Sequence, residues 1–250
     1  MKLADVAAAR GMPSTICYWN DGKEEPEAVL QRYLGSLDVI ASSGHDADLA
    51  VKIPALWDRR DLVATIVERA RTLNRRVIFD SHAPEQSALT FDIMSELGPA
   101  NLGCAIPGRW KRSIADAERA VELGLRVRVI KGQWPDPDQP DMDLREGFLR
   151  VVDVLAGRAV HVGVATHDAP LAREAIGRLT AAGTPCEHEL LFPLPMEPSA
   201  TVARDAGVKI RLYIPFGEAW LPYSISRAME NPRVLVWLLR DLFSGRRLKC

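Results

Sequence analysis

Six short runs of this chain carry ionisable or hydroxyl side chains where an apolar strand would be expected. Lys52 interrupts Ala50-Val51-Lys52-Ile53-Pro54, and Arg128 interrupts Val127-Arg128-Val129, with Lys131 two residues past Val129. Asp80 ends one run, Thr166-His167 ends another, Tyr213 falls within a third, and Glu187, His188 and Glu189 crowd a fourth. Charge inside an apolar element is costly unless it is paired or binds an ion of opposite sign. Two readings follow. In one, these are structural ion pairs, Asp80 with Lys52 and Glu189 with Arg128. In the other, several strand ends share a cavity that is net cationic around Lys52, Arg128 and Lys131. Such a cavity suits an anionic substrate or cofactor, such as a carboxylate, a phosphate or a flavin.

The elements that must position these groups alternate strictly. Strand-like runs at 14–19, 48–54, 76–82, 102–108, 126–132, 161–167, 186–192 and 209–216 are each followed by helical periodicity, at 26–42, 59–73, 85–97, 113–123, a stretch ending at 155, 170–182, 199–206 and about 220–243. A Pro/Asp-rich loop spans 134–143, and Asn231-Pro232 interrupts the last helix, because proline disfavours helix in the residue before it. Gly or Asn stop signals follow several of the helices. Eight such units predict a closed parallel (β/α)8 barrel, one domain over 1–250, with chemistry at the C-terminal ends of the strands.

The bulk numbers narrow the function. Of 250 residues, 47% are hydrophobic and 26% charged, which fits a globular protein. A net charge of -1 argues against a general nucleic-acid binder. No apolar run approaches the roughly 18 residues of a spanning helix. Asp5 and Arg10 interrupt the apolar start, so no signal peptide is expected. Cys17, Cys104, Cys186 and Cys250 show no C-x-x-C spacing, and a cysteine zinc site is not expected. Three of them read as buried hydrophobes of a reducing compartment.

Four stretches in register resemble the proline dehydrogenase family, FAD-dependent barrels that oxidise L-proline. They are Ala50-Val51-Lys52-Ile53-Pro54-Ala55-Leu56, Arg126-Val127-Arg128-Val129-Ile130-Lys131-Gly132, Ala165-Thr166-His167-Asp168, and the run from Lys209 to Tyr223 with its continuation Ser224-Ile225-Ser226-Arg227-Ala228-Met229-Glu230-Asn231. The resemblance implies that Lys52 and Arg227 hold the substrate carboxylate, with Tyr213, Tyr223 and Ser226 beside the substrate. It places Arg128 next to the flavin and Asp80 at the active-site aspartate. It puts Ser81, Pro107, Lys131, Gly132, Gln133, Thr166, His167 and Glu189 at cofactor-facing positions. It implies hydride transfer from the substrate ring carbon to FAD, with a quinone at the membrane surface or another acceptor beyond it. The expected location is cytoplasmic, peripheral to the inner membrane.

The sequence also departs from that pattern. Ser226 stands where the family has the first arginine of a pair, and losing one charge-assisted contact to a carboxylate costs roughly 1.5–3 kcal/mol. Pro107 replaces a glutamine that reads the flavin edge, and proline brings no side-chain donor. Gln133-Trp134-Pro135, Ser81-His82 and Pro193 are further replacements. Two other readings therefore stand beside the flavoprotein. One is a metal-dependent hydrolase using His82, His167, His188 and Asp80. The other is a non-catalytic relative that binds a small ligand.

Overall fold

The computed structural model describes residues 2–80 and 83–217. An N-terminal helix α1 (Lys2–Ala8), absent from the sequence reading, leads into β1 (Ser14–Tyr18). There follow α2 (Pro26–Ser43), β2 (Ala47–Val51), α3 (Arg60–Thr72), β3 (Val77–Phe79), α4 (Gln86–Leu97), β4 (Leu102–Pro107), α5 (Ser113–Glu122) and β5 (Arg126–Ile130). The second half runs α6 (Leu144–Leu155), β6 (Val162–Ala165), α7 (Ala169–Ala181), β7 (Cys186–Leu191), α8 (Ser199–Asp205) and β8 (Lys209–Phe216). All strands are parallel, each pairs with its neighbours in sequence, and β8 returns to β1, so the sheet closes. This is the expected (β/α)8 barrel. The helix expected over 220–243 lies outside the described residues.

Several strands are shorter than their patterns suggested. The run 48–54 ends at Val51, and Ile53–Leu56 is a 3-10 turn. Pro54 is the reason, since it has no N–H to continue a ladder. Trp57 and Asp58 then take left-handed backbone, at φ 52° and 58°, to re-aim the chain into α3. Helices α6 and α7 begin on true caps. Asp143 accepts from the Arg145 and Glu146 amides at 2.8 Å each, and Asp168 accepts from Leu171 at 3.1 Å.

Strand parity separates two interiors. Outward residues such as Leu49, Val51, Phe79, Ile106, Val127, Val129, Val164, Leu190 and Leu212 meet the helices in one large core. Each such side chain, fully buried, contributes about 1.5–3 kcal/mol relative to exposure. Inside the barrel the apolar cluster is small: Cys17, Ala50 and Tyr213, with Trp19 and Leu191 against it. Around it, Thr15 and Ile78 share the lumen with buried charged side chains, among them Asp48, Arg128, Glu187, Glu189 and Arg211.

The floor of the lumen is a network the sequence reading did not anticipate. Arg211, 2% exposed, donates through Nε to Glu187 at 2.6 Å and through Nη1 to the Ser14 carbonyl at 2.7 Å. Its Nη1 also stands 3.4 Å from Asp48, whose other oxygen takes Arg76 Nε at 2.7 Å. His161 Nε2 lies 3.9 Å from Glu187, but burial, with Arg126, Arg211 and Arg76 nearby, pulls its pKa down to about 3. The imidazole is therefore neutral at physiological pH. Because the folded pKa lies below the ordinary 6.5, the unfolded chain binds the extra proton, and stability is lost as pH falls from about 6.5 towards 3. Replacing His161→Gln is expected to shrink the stability drop between pH 7 and pH 4 by about 1–3 kcal/mol, allowing for partial solvent screening of the ring. Urea midpoints across that range check it, and parallel curves for the two proteins would refute it.

Candidate active site at the barrel mouth

Above that floor, Arg128 crosses the lumen from the middle of β5. Its ladder neighbours are Ala105 on β4 and Gly163 on β6, both small enough to leave room for a guanidinium. Arg128 Nη2 donates to Asp80, which directly follows β3, and Nη1 donates to Glu189 of β7 at 3.3 Å. The guanidinium carbon stands 4.8 Å from the Tyr213 ring centroid. Tyr213 donates its hydroxyl proton to the second Asp80 oxygen at 2.7 Å, and Cys17 Sγ reaches the same oxygen at 3.5 Å. Trp19, just past β1, gives its indole N–H to the Tyr213 oxygen at 3.4 Å. Lys52, just past β2, places Nζ 4.3 Å over the Trp19 ring. Lys52, Trp19, Tyr213, Asp80, Arg128 and Glu189 thus form one connected cluster drawn from β1, β2, β3, β5, β7 and β8.

The electrostatics differ from the expected cationic cavity. Asp80 is paired with Arg128, not with Lys52, while the expected Glu189–Arg128 pair is present. Two carboxylates share one guanidinium, so this trio carries formal charge -1 when fully ionised. Burial raises the Glu189 pKa against the pull of Arg128 and Arg211. Burial also works against the Arg128 charge, but Glu189 outweighs it and holds the guanidinium protonated. Burial keeps Tyr213 a phenol. Lys131, the third expected cation, sits 3.2 Å from Asp168 and is half-buried. Lys52 makes no ion pair with a carboxylate among the described residues and meets the Trp19 ring instead.

The remaining expected positions divide into three groups. Thr166 is buried, its hydroxyl accepting from the Asp168 amide at 3.1 Å. His167 is a clasp. Its Nε2 accepts from the Leu191 amide at 2.9 Å, which makes Nδ1 the donor to the Pro195 carbonyl at 2.9 Å. Both ring nitrogens are thus committed to the backbone after β7, and neither faces a ligand or a metal. Pro107 and Gly132 touch: a Cβ on Gly132, at φ +88°, would lie 2.7 Å from Pro107 Cβ. Gln133 is exposed, with its carbonyl held by Arg109 Nη1 at 3.0 Å. Ser81, Tyr223, Ser226 and Arg227 lie outside the described residues, as does His82.

The metal-hydrolase reading weakens on this geometry. His188 points away from Glu189, is fully buried, and bonds the Thr166 carbonyl through Nε2 at 2.9 Å. Among the described residues no group of three or more His, Cys, Asp or Glu is placed to hold a metal ion.

Several contributors were missed in the sequence. Cys17 and Trp19 share the lumen face of β1 at i, i+2 spacing, a signal that period-2 counting carries. Arg109, Trp110 and Asp136 strap the β4 and β5 loops together. Trp110 Nε1 donates to the Trp134 carbonyl at 2.8 Å, and Asp136 accepts from the Lys111 amide at 2.7 Å. No local pattern marks such loop-to-loop contacts.

Fold and site together define a closed parallel barrel whose lumen is ionic and whose reactive side chains gather at the strand C-termini. No family model matches the chain. Proline dehydrogenase 1 of Bacillus subtilis subsp. natto is 22% identical over 252 residues, covering 93% of this chain and 82% of that protein. Proline dehydrogenase of Deinococcus radiodurans is 24% identical over 162 residues, covering 61% of this chain and 51% of that one. The crystal structure of proline utilization A from Bdellovibrio bacteriovorus superposes with a TM-score of 0.78 at 17% identity, covering 92% of this chain and 31% of that much longer one. The chain is thus similar in sequence to proline dehydrogenases and shares the barrel fold of proline utilization A.

Proposed function

We propose that this barrel is a flavin-dependent oxidoreductase acting on L-proline or a closely related cyclic imino acid. The observation that carries the reading is Arg128. It is clamped by Asp80 and Glu189 beside Tyr213, and its Nε is buried without a hydrogen-bond partner. A buried donor without a partner costs about 1–3 kcal/mol, so an acceptor from a bound ring would relieve it. FAD fits that end of the site. Arg128 Nε would meet the ring, and Lys131 is exposed enough to exchange Asp168 for a phosphate. FAD bound there would supply the hydride-accepting chemistry for the substrate carbon beside the ring nitrogen, with a quinone or another acceptor as the outlet for the electrons.

The chain's own residues would do the rest. Lys52 would bind the substrate carboxylate, its ammonium held in place by the Trp19 face. The Tyr213 ring would wall the substrate, its orientation fixed by two hydrogen bonds to its hydroxyl. Asp80 and Glu189 would hold Arg128 preorganised, so that no charge has to move during reaction. Tyr223, Ser226 and Arg227 are proposed to complete the carboxylate grip. Among the described residues no helix is long and apolar enough to cross a membrane. A quinone partner would be met at the membrane surface.

The test is an absorption spectrum of the FAD-saturated protein before and after anaerobic L-proline. A bound-flavin spectrum that bleaches is expected, and protein that never holds flavin overturns the reading. In the active enzyme, Lys52→Met is expected to raise KM for the imino acid by roughly ten- to a hundredfold while kcat changes less. An unchanged KM would remove Lys52 from the substrate site. The committed His167 ring and donor-less Pro107 favour a second reading, a barrel that binds the ring carboxylate without flavin. Calorimetric L-proline binding by protein that never shows flavin absorbance would select it.

A further inference from the structure

We propose that the cleft at the opposite, N-terminal end of the barrel binds a small organic phosphate of the nucleoside diphosphate class. The cleft opens between the loops that enter β3, β4 and β5 and has a volume of about 660 Å³. Three guanidinium groups line it: Arg71 from the last turn of α3, Arg76 just before β3, and Arg126 at the start of β5. No aspartate or glutamate is among its lining residues.

The charges there are incompletely matched. Arg71 bonds only backbone, giving Nη2 to the Leu97 and Gly98 carbonyls at 2.7 Å each and making longer contacts to the Ala100 carbonyl. Arg126 reaches Glu187 Oε1 only at 3.5 Å, and Arg211 Nε already takes that same oxygen at 2.6 Å. Arg76 alone is well paired, to Asp46 and Asp48. Burial and the neighbouring Arg76 both pull the Arg126 pKa down, the mark of a cation crowded by another cation. An anion in the cleft would relieve that crowding.

The shape selects the kind of anion. Guanidinium forks match phosphate oxygens in bidentate geometry, and several arginines suit more than one phosphate. Beside them Leu97 and Pro99 offer an apolar surface for a ring. Inorganic phosphate would use only the first of these features, and an apolar ring only the second.

The experiment is calorimetric titration of the full chain with ADP and, separately, with inorganic pyrophosphate, at constant ionic strength. Saturable binding of one ADP per chain is expected, tighter than pyrophosphate. Arg71→Gln removes one cation, and Asn101→Asp adds a carboxylate at the rim. Asn101 sits at φ 63°, a left-handed position that aspartate also tolerates. Each change is expected to weaken ADP by about tenfold or more. Both residues are remote from Lys52 and Arg128, so loss in these variants places the ligand in this cleft. Absence of saturable binding overturns the proposal. So does ADP binding that both variants leave unchanged, which would locate the nucleotide elsewhere, or ADP binding no tighter than pyrophosphate.

Discussion

Arg128→Met is expected to destabilise the protein by about 3–5 kcal/mol at neutral pH, the usual cost of stranding buried partners of a removed charge. Asp80 and Glu189 are 9% and 5% exposed, and Arg128 is the cation they share. A loss of that size is a large share of the 5–15 kcal/mol typical of a domain. The pH dependence gives the test its specificity. Without the guanidinium, both carboxyls would have folded pKa values above their unfolded ones. Groups of that kind favour the folded state at low pH and lose that contribution as pH rises through the folded pKa. The deficit relative to the native protein should therefore be smaller at pH 5 than at pH 8. Denaturant midpoints at the two pH values decide it. A deficit that is equal at both, or under about 1 kcal/mol, would mean the three groups do not form one buried cluster.

Gly147→Ala should be the most damaging single methyl group in the described fold. Gly147 lies in the first turns of α6, and a Cβ there would collide with the Gly108 carbonyl oxygen at the end of β4. The collision is with backbone, so no side chain can swing away. In return, a Cβ on Gly108 would come within 2.5 Å of Phe148 backbone atoms, so the two glycines mark one close approach. Overpacking of this kind costs typically about 1–3 kcal/mol and would push the Pro107–Gly108 segment against the site. Gly177→Ala supplies the contrast. It also lies inside a helix, α7, but nothing stands within 4 Å of its added Cβ. Removing glycine's backbone freedom there should stabilise by about 0.4–1 kcal/mol. Melting curves showing the same sign for both substitutions would refute the packing argument.

The barrel itself was legible because its signals are local. Each β-branched run, helical period and Gly or Asn stop acts within a few residues, and eight repeats of the unit leave few topologies open. Lys52, Asp80, Arg128, Glu189 and Tyr213 stood out for a related reason: charge or hydroxyl inside an apolar run is visible without a structure. The errors arose where the deciding partner is distant in sequence. Arg128 found Asp80 48 residues away and Glu189 61 residues away. Lys52 found an indole rather than the nearer-looking Asp80. His167 carried a recognisable motif, yet its ring serves the backbone of the β7 exit.

What the sequence by itself determined is therefore the parallel barrel, its repeat, and which residue types had to be accommodated in a ring of apolar strands. Only the tertiary structure decided how those residues are partnered. The register across the ladders sets the height of each inward side chain in the lumen, so it chooses among Asp48, Asp80, Glu187 and Glu189 for each arginine. Strand closure placed Arg211 and Glu187 on the floor and Arg128, Asp80 and Glu189 above them, and it left Lys52 at the rim. Alternation along one strand says that a charge points inward; the stagger between strands says which charge it meets.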